Sequence, residues 1–280
     1  MGSHVWLMSS VAARTWQSET NVWQGPSITA PSVPSVAYRT VGSGFLAFSE
    51  TTASRRRNAV NVGILGTGNL AVTLGRAWAT AGHSILVTGR DAVRVSGAAE
   101  QIGPSAQAVD PGALAGGSDA VVVAVSWEGL EAAVSLVGGP EGALAGRTVI
   151  DCTNPVDFAT GALKPASGSA AEVVARTAPG AHVVKALHLF AGASWPYTRS
   201  KNAAPVVAIC GDERSALDRT ATLIADLGAK TAVVAGLAGA RQLEEAAGFV
   251  MRVVAAGHNP RLAVPDVDPA LLGAADATTG

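Results

Sequence analysis

From about residue 60 onward, short apolar runs alternate with stretches in which apolar residues return every three to four positions. Val62, Ile64 and Leu65 read as a buried strand, cut off by Gly66-Thr67-Gly68. Beyond it Leu70, Leu74, Ala77, Trp78 and Ala81 fall on one helix face. Residues 84–88 give a second strand after a helix stop at Ala81-Gly82-His83, with His83 read as closing the helix end. Residues 119–126 form an apolar central strand, and Ser126-Trp127-Glu128 opens a helix containing Leu130, Ala133, Val134 and Leu136. Residues 147–152 and 182–187 are two more strands. Residues 204–210 are another, followed by Asp212 as the expected N-cap of a helix that aligns Leu217, Ala221, Ile224 and Leu227. A short strand over 230–234 and a helix over 239–256, with Leu243, Ala247, Val250 and Val254 inward, complete the pattern.

Strand alternating with helix implies right-handed βαβ units and a parallel sheet. The expected fold is therefore α/β, a Rossmann-type doubly wound parallel sheet with a small C-terminal α/β lobe. Its expected divisions are a nucleotide-binding domain over 60–200, the lobe over 201–262 and a loose tail over 263–280. Residues 1–59 lack a sustained period and carry scattered Trp6, Trp16 and Trp23 with many Ser, Thr and Pro. They read as a disordered extension, or as sequence upstream of the true start. The apolar patch over 5–13 lacks the charged flank of a signal peptide. Arg55-Arg56-Arg57 mimics a twin-arginine signal, but the apolar segment behind it is the first strand of the fold.

The glycine turn between the first strand and helix fits G-x-G-x-x-G/A: Gly66 for the tight turn, Gly68 for close approach of a pyrophosphate, Ala71 for helix–strand packing. The free N–H groups that open the helix would face the phosphates. The end of the second strand selects the cofactor. An NAD site usually places an acid there for the ribose 2′-hydroxyl, whereas this chain has Thr88-Gly89-Arg90, with Arg94 a turn later. A hydroxyl and guanidinium groups bind a 2′-phosphate that a carboxylate would repel, so NADP(H) is expected. Ligands of open α/β sheets sit beyond the strands' carboxyl ends. That places Ala124, Val125, Ser126 and Trp127, then Asn154 and Pro155, along the nicotinamide side, with His188 at the same edge.

Composition narrows the class. The 280 residues are 48% hydrophobic and 15% charged with net charge −1, enough for a large core and without a basic surface for nucleic acid. No run of eighteen apolar residues is present, so no membrane partner is expected. Cys152 and Cys210 lie in apolar runs and read as buried thiols of a reducing, cytoplasmic compartment. The five histidines show no metal-ligand spacing, and no metal site is expected.

Six segments together resemble one family, the NADPH-dependent reductases of the deazaflavin coenzyme F420. They are residues 63–69, Thr88-Gly89-Arg90-Asp91, Ala124-Val125-Ser126-Trp127, Thr153-Asn154-Pro155, residues 183–188 and residues 239–244. The resemblance spans roughly residues 60–262. It implies that Thr67, Asn69 and Leu70 hold the pyrophosphate, that Gly89 and Arg90 hold the 2′-phosphate, and that residues 125–127 with Asn154 and Pro155 border the reactive ring. Family members commonly have proline at Ser126 and asparagine at His188; the second departure bears on the acceptor.

The expected activity is hydride transfer between NADP(H) and an F420-type deazaflavin. Alternatives are another small carbonyl, imine or flavin acceptor, or an NADPH-binding redox sensor. His188, with an ordinary pKa of ~6.5, is the candidate catalytic group for donating a proton or hydrogen bond to the reduced product. Trp127, His188 and Arg241 are the candidate substrate contacts. For Arg241 a surface pair with Glu244 is the competing assignment. The partner is a small-molecule hydride acceptor, and a homodimer is left open.

Overall fold

A computed structural model describes residues 59–189, 192–198 and 204–266. The extension read over 1–59 thus lies outside the described residues except for Ala59, and most of the 263–280 tail lies outside them too. The chain runs β1 (Asn61–Leu65), α1 (Asn69–Ala81), β2 (Ser84–Thr88), α2 (Ala92–Ile102), β3 (Ala106–Ala108), α3 (Pro111–Gly117) and β4 (Ala120–Val123). After a 3-10 turn (Trp127–Gly129) come α4 (Leu130–Leu136), β5 (Thr148–Asp151), α5 (Ala170–Thr177), β6 (His182–Lys185), β7 (Val206–Gly211), α6 (Arg214–Asp226), β8 (Lys230–Ala235) and α7 (Ala240–Ala255), with further 3-10 turns at Gly192–Ser194, Leu237–Gly239 and Pro260–Leu262.

The eight strands form one sheet in the order β3-β2-β1-β4-β5-β6-β7-β8. Every neighbouring pair is parallel except β6 with β7. The fold is the expected Rossmann-type α/β sheet. Residues 204–262 supply β7, α6, β8 and α7, and the two strands continue that same sheet.

The core follows from strand alternation. Val62 and Ile64 of β1, Val122 of β4 and Ile150 of β5 point to one face, where they meet Leu74 and Trp78 of α1 and Leu223 and Ile224 of α6. Val121 and Val123 of β4 and Val149 of β5 point to the other, against Leu114, Val134, Val174 and Leu243. Helices thus cover both faces, which is why the central strands are apolar throughout and not alternating. Trp78 is fully buried, and its indole N–H donates to the Leu223 carbonyl at 2.9 Å. This satisfies the one polar atom of the largest buried side chain.

Several local expectations are corrected. Residues 127–129 form a 3-10 turn before α4 begins at Leu130. Asp212 does not cap α6: the N-cap position is Glu213, and the Asp212 carboxylate accepts the Leu237 N–H at 2.8 Å. The cap of α1 is Gly82 in the left-handed region. His83 is buried beyond it, bonded to Asp226 at 3.0 Å and accepting the Val60 N–H at 3.2 Å. It ties the start of β1 to α6. Strand β3 and helix α3, absent from the sequence pattern, have only 3 and 7 residues, too short to show a period.

Among the described residues no helix is long and apolar enough to cross a membrane, and no group of three or more His, Cys, Asp or Glu could hold a metal ion.

Candidate active site

Strand register brings most of the predicted residues to one edge. Leu65 lies beside Thr88 and Val123, Val123 beside Asp151, and Asp151 beside Lys185. The segments that follow these residues therefore leave the sheet side by side. At ~4.8 Å per strand, four spacings from β2 to β6 set the Arg90 end roughly 19 Å from the His188 end.

At the β1 end, Gly66 has φ of +138°, and a β-carbon there would lie 2.3 Å from the Ala124 carbonyl oxygen. Only glycine tolerates both conditions. Gly68 is different: its backbone is extended, and no atom lies within 4 Å of where a β-carbon would stand. Space in front of α1 is open on that side. The helix has no capping side chain and no acid in its first turn, and its hydrogen-bond ladder starts with Val72 N–H to Gly68 C=O at 3.0 Å. The N–H groups of Asn69, Leu70 and Ala71 have no helical carbonyl to meet, and Gly68 and Asn69 are exposed. Such an arrangement suits an anion.

At the β2 end, Arg90 and Arg94 are both exposed. Their neighbour Asp91 turns away to cap α2, accepting Val93 N–H at 3.0 Å and Arg94 N–H at 3.1 Å. The acid in this segment is thus committed to the helix, while the two cations face solvent. Thr88 is a correction: it is fully buried, and its hydroxyl donates to the Val109 carbonyl at 2.8 Å, so it braces the chain after β3 instead of reaching a phosphate. A β-carbon on Gly89 would stand 3.5 Å from the Thr67 and Val95 side chains.

Ala124, Val125 and Ser126 follow β4, with Ser126 exposed. Trp127 lines a cavity of about 540 Å3 with Pro165, Gly168 and the acids Glu128, Glu131 and Glu172, and His188 is not among its walls. Arg241 is a second correction. Its guanidinium bonds Glu245 at 3.0 Å and the carbonyls of Gly168 at 2.9 Å and Pro165 at 3.3 Å. It anchors a loop of that cavity and does not pair with Glu244.

Asn154 and His188 meet at the ends of β5 and β6, where the Asn154 amide donates to the His188 carbonyl at 2.6 Å. Pro155 is buried behind Asn154, and its carbonyl accepts the Lys164 N–H at 2.7 Å. Leu187 has φ of +58°, a left-handed conformation unusual for leucine, and it turns His188 into the protein. His188 is only 5% exposed. Neither ring nitrogen has a partner, nor do the Thr153 hydroxyl and the Asn154 amide oxygen. Burial, and then the charge of Lys185, push its pKa down to about 3. The expectation of a titrating acid near neutrality is corrected: His188 is a neutral imidazole that can donate one N–H and accept at the other nitrogen.

Beneath this edge lies a feature the sequence reading missed. Lys185, Asp151 and Glu244 are all fully buried. The Lys185 ammonium bonds Asp151 at 2.9 Å, Glu244 at 2.8 Å and the Thr153 carbonyl. Burial works against its charge, but Asp151 and then Glu244 more than offset this, and its pKa stands above the ordinary lysine value. Burial raises the Glu244 carboxyl, with Lys185 opposing. Asp151 also accepts Thr153 N–H at 2.9 Å, and Glu244 accepts Ala170 N–H at 3.0 Å.

A glycine turn at a helix N-terminus, two exposed cations one strand away and a buried polar shelf two and three strands away on the other side fit a class, the dinucleotide-dependent oxidoreductases of Rossmann type. Comparison with known proteins narrows it. Residues 61–155 match the family described as NADP oxidoreductase, coenzyme F420-dependent. A protein of Arthrobacter sp. FB24 assigned as an F420-dependent NADP-reductase is similar at 27% identity, over 71% of this chain and 96% of that one, with a TM-score of 0.64. A hypothetical protein of Sinorhizobium meliloti aligns at 22% identity over 68% and 91% of the two chains, TM-score 0.56. A reductive aminase of Aspergillus terreus in complex with NADPH and ethyl levulinate aligns at 20% over 71% of this chain and 63% of its own, TM-score 0.53. The last two show the shared fold alone. Among curated proteins none matches by sequence. The chain is thus similar to NADP-dependent oxidoreductases, through its first strands by the family match and over most of its length by the Arthrobacter structure.

Proposed function

We propose that this chain transfers hydride between NADP(H) and a deazaflavin of the F420 type. The observation that carries the reading is the β2 end: Arg90 and Arg94 exposed, and Asp91 turned into the α2 cap. That arrangement favours a 2′-phosphate over a 2′-hydroxyl. The uncapped start of α1 receives the pyrophosphate on the N–H groups of Asn69 and Leu70, with Thr67 beside them, and Gly68 leaves the room it needs. Bound NADPH supplies the hydride; the protein supplies position and electrostatics.

Asn154 and His188 border the reactive ring from the β5 and β6 ends, across from Ala124, Val125 and Ser126. As a neutral imidazole, His188 offers a hydrogen bond to the acceptor and no ionised acid, so the proton that accompanies hydride comes from solvent. The family description and the Arthrobacter relative support the deazaflavin. The test is oxidation of NADPH by the protein with coenzyme F420, against a panel of imines, carbonyls and flavins. Turnover with F420 well above the panel supports the reading. No oxidation beyond the protein-free rate ends it.

A further inference from the structure

Lys185 stands at the origin of a closed loop of contacts. Its ammonium holds the Thr153 carbonyl; the next residue, Asn154, donates its amide to the His188 carbonyl; and His188 returns to Lys185 through Ala186 and the left-handed Leu187. The four polar atoms without partners on this loop are the Thr153 hydroxyl, the Asn154 amide oxygen and both nitrogens of His188. Buried polar atoms without partners are costly and uncommon, and here they sit together on two strand ends. Everything beneath them is saturated: Lys185 spends its three donors on Asp151, Glu244 and Thr153, and Glu244 also accepts the first N–H of α5.

We infer that Lys185, clamped by Asp151 and Glu244, is a positioning residue for hydride transfer. It fixes the height and angle of the Thr153–Asn154–His188 shelf, whose free polar atoms receive the polar edge of the reacting rings. The inference rests on the proposed NADP(H) chemistry of this cleft. Lys185 itself has no donor left for a ligand, so it acts only through the shelf. Burial first, and the Lys185 charge second, hold His188 neutral, which preserves one donor and one acceptor on the ring.

Removing Lys185 alone would strand two buried carboxylates, so the test variant is Lys185→Met/Asp151→Asn/Glu244→Gln, with Asn154→Ala as an independent cut in the same loop. Three quantities are measured: the NADPH dissociation constant, the single-turnover rate with F420, and the primary isotope effect with 4-deuterated NADPH. The expected result is NADPH affinity within about threefold of wild type, since the phosphates bind at the far strands. The hydride step is expected to slow by about a hundredfold, the size a misplacement near 1 Å produces, with a larger isotope effect. A mere loss of folded protein would lower amplitudes and leave rate and isotope effect unchanged.

Because both cuts act on one shelf, combining them is expected to slow the step little beyond either alone. Wild-type rates in the folded triple variant overturn the inference; if that variant does not fold, wild-type rates in Asn154→Ala do so. If the wild type turns over only with a different acceptor, the deazaflavin reading fails, and the same measurements with that acceptor still judge the shelf. No turnover with any acceptor overturns both.

Discussion

Replacing Arg90 by alanine tests the cofactor assignment where it is most exposed to failure. The side chain is in solvent and has no hydrogen bond or ion pair among the described residues, so truncation removes no internal contact. Folding stability should shift by no more than ~0.5 kcal/mol. Against a 2′-phosphate, a charge-assisted hydrogen bond is worth about 1.5–3 kcal/mol. An exposed guanidinium belongs at the low end of that range, and every 1.4 kcal/mol is tenfold. Arg90→Ala is therefore expected to weaken NADPH binding by roughly tenfold, and Arg90→Ala/Arg94→Ala by up to a hundredfold if both cations share the phosphate. NADH carries no 2′-phosphate, so its affinity should change less than about twofold. The assay is fluorescence titration of reduced nicotinamide with each variant, repeated at higher salt, where the NADPH advantage of the wild type should shrink. Equal losses for NADPH and NADH, or none for either, would refute the assignment.

The glycine loop offers a paired prediction. Gly68→Ala meets open space, so the melting temperature should hold while NADPH binding falls at least tenfold, as a methyl group enters the phosphate approach. Gly66→Ala, at φ of +138° and against the Ala124 carbonyl, should instead lower the melting temperature outright. For His188 the pH dependence follows from its lowered pKa. Between about 3 and the ordinary 6.5 the unfolded chain binds a proton that the folded chain refuses. The associated stability is complete above pH 6.5 and drains away as pH falls toward 3, by at most about 5 kcal/mol. Denaturant midpoints at pH 7 and 4.5 should differ less in His188→Phe than in wild type, and an identical pH slope in the two would show that His188 is not held neutral.

Legibility divided along a physical line. The glycine turn, the apolar strands and the Arg90 segment were readable because each is written in neighbouring residues: a turn needs its glycine at one position, and a helix face recurs within a dozen. The Asp151–Lys185–Glu244 cluster was not, since its members lie on three elements spread over 93 positions and meet only through the sheet order. A signal did exist. Lys185 stands inside the apolar run Val183-Val184-Lys185-Ala186-Leu187, and Glu244 lies beside Leu243 on the inward face of α7 with Ala247. A charge in the buried phase of a strand or helix requires a partner, and three such charges invite each other. Thr88 misled for the opposite reason. Its place at the strand end suggests an outward hydroxyl, but the last residue of β2 is buried and its hydroxyl is taken up by the Val109 carbonyl. Arg241, the candidate substrate contact with Glu244 as its competing partner, takes neither role: the helix gives it Glu245, four residues on, on its exposed side.

The buried cluster also bears on how this protein can be recombined with its relatives. One of its two carboxylates enters from α7, near the far end of the described chain, and reaches under the strand ends to both an ammonium of β6 and an amide of α5. A chimera that keeps the first six strands and grafts on a foreign C-terminal segment inherits a lysine with one anion too few and a helix start whose first N–H has lost its acceptor. Such a graft needs an acid at the position equivalent to Glu244, whatever acceptor the new segment is chosen to recognise.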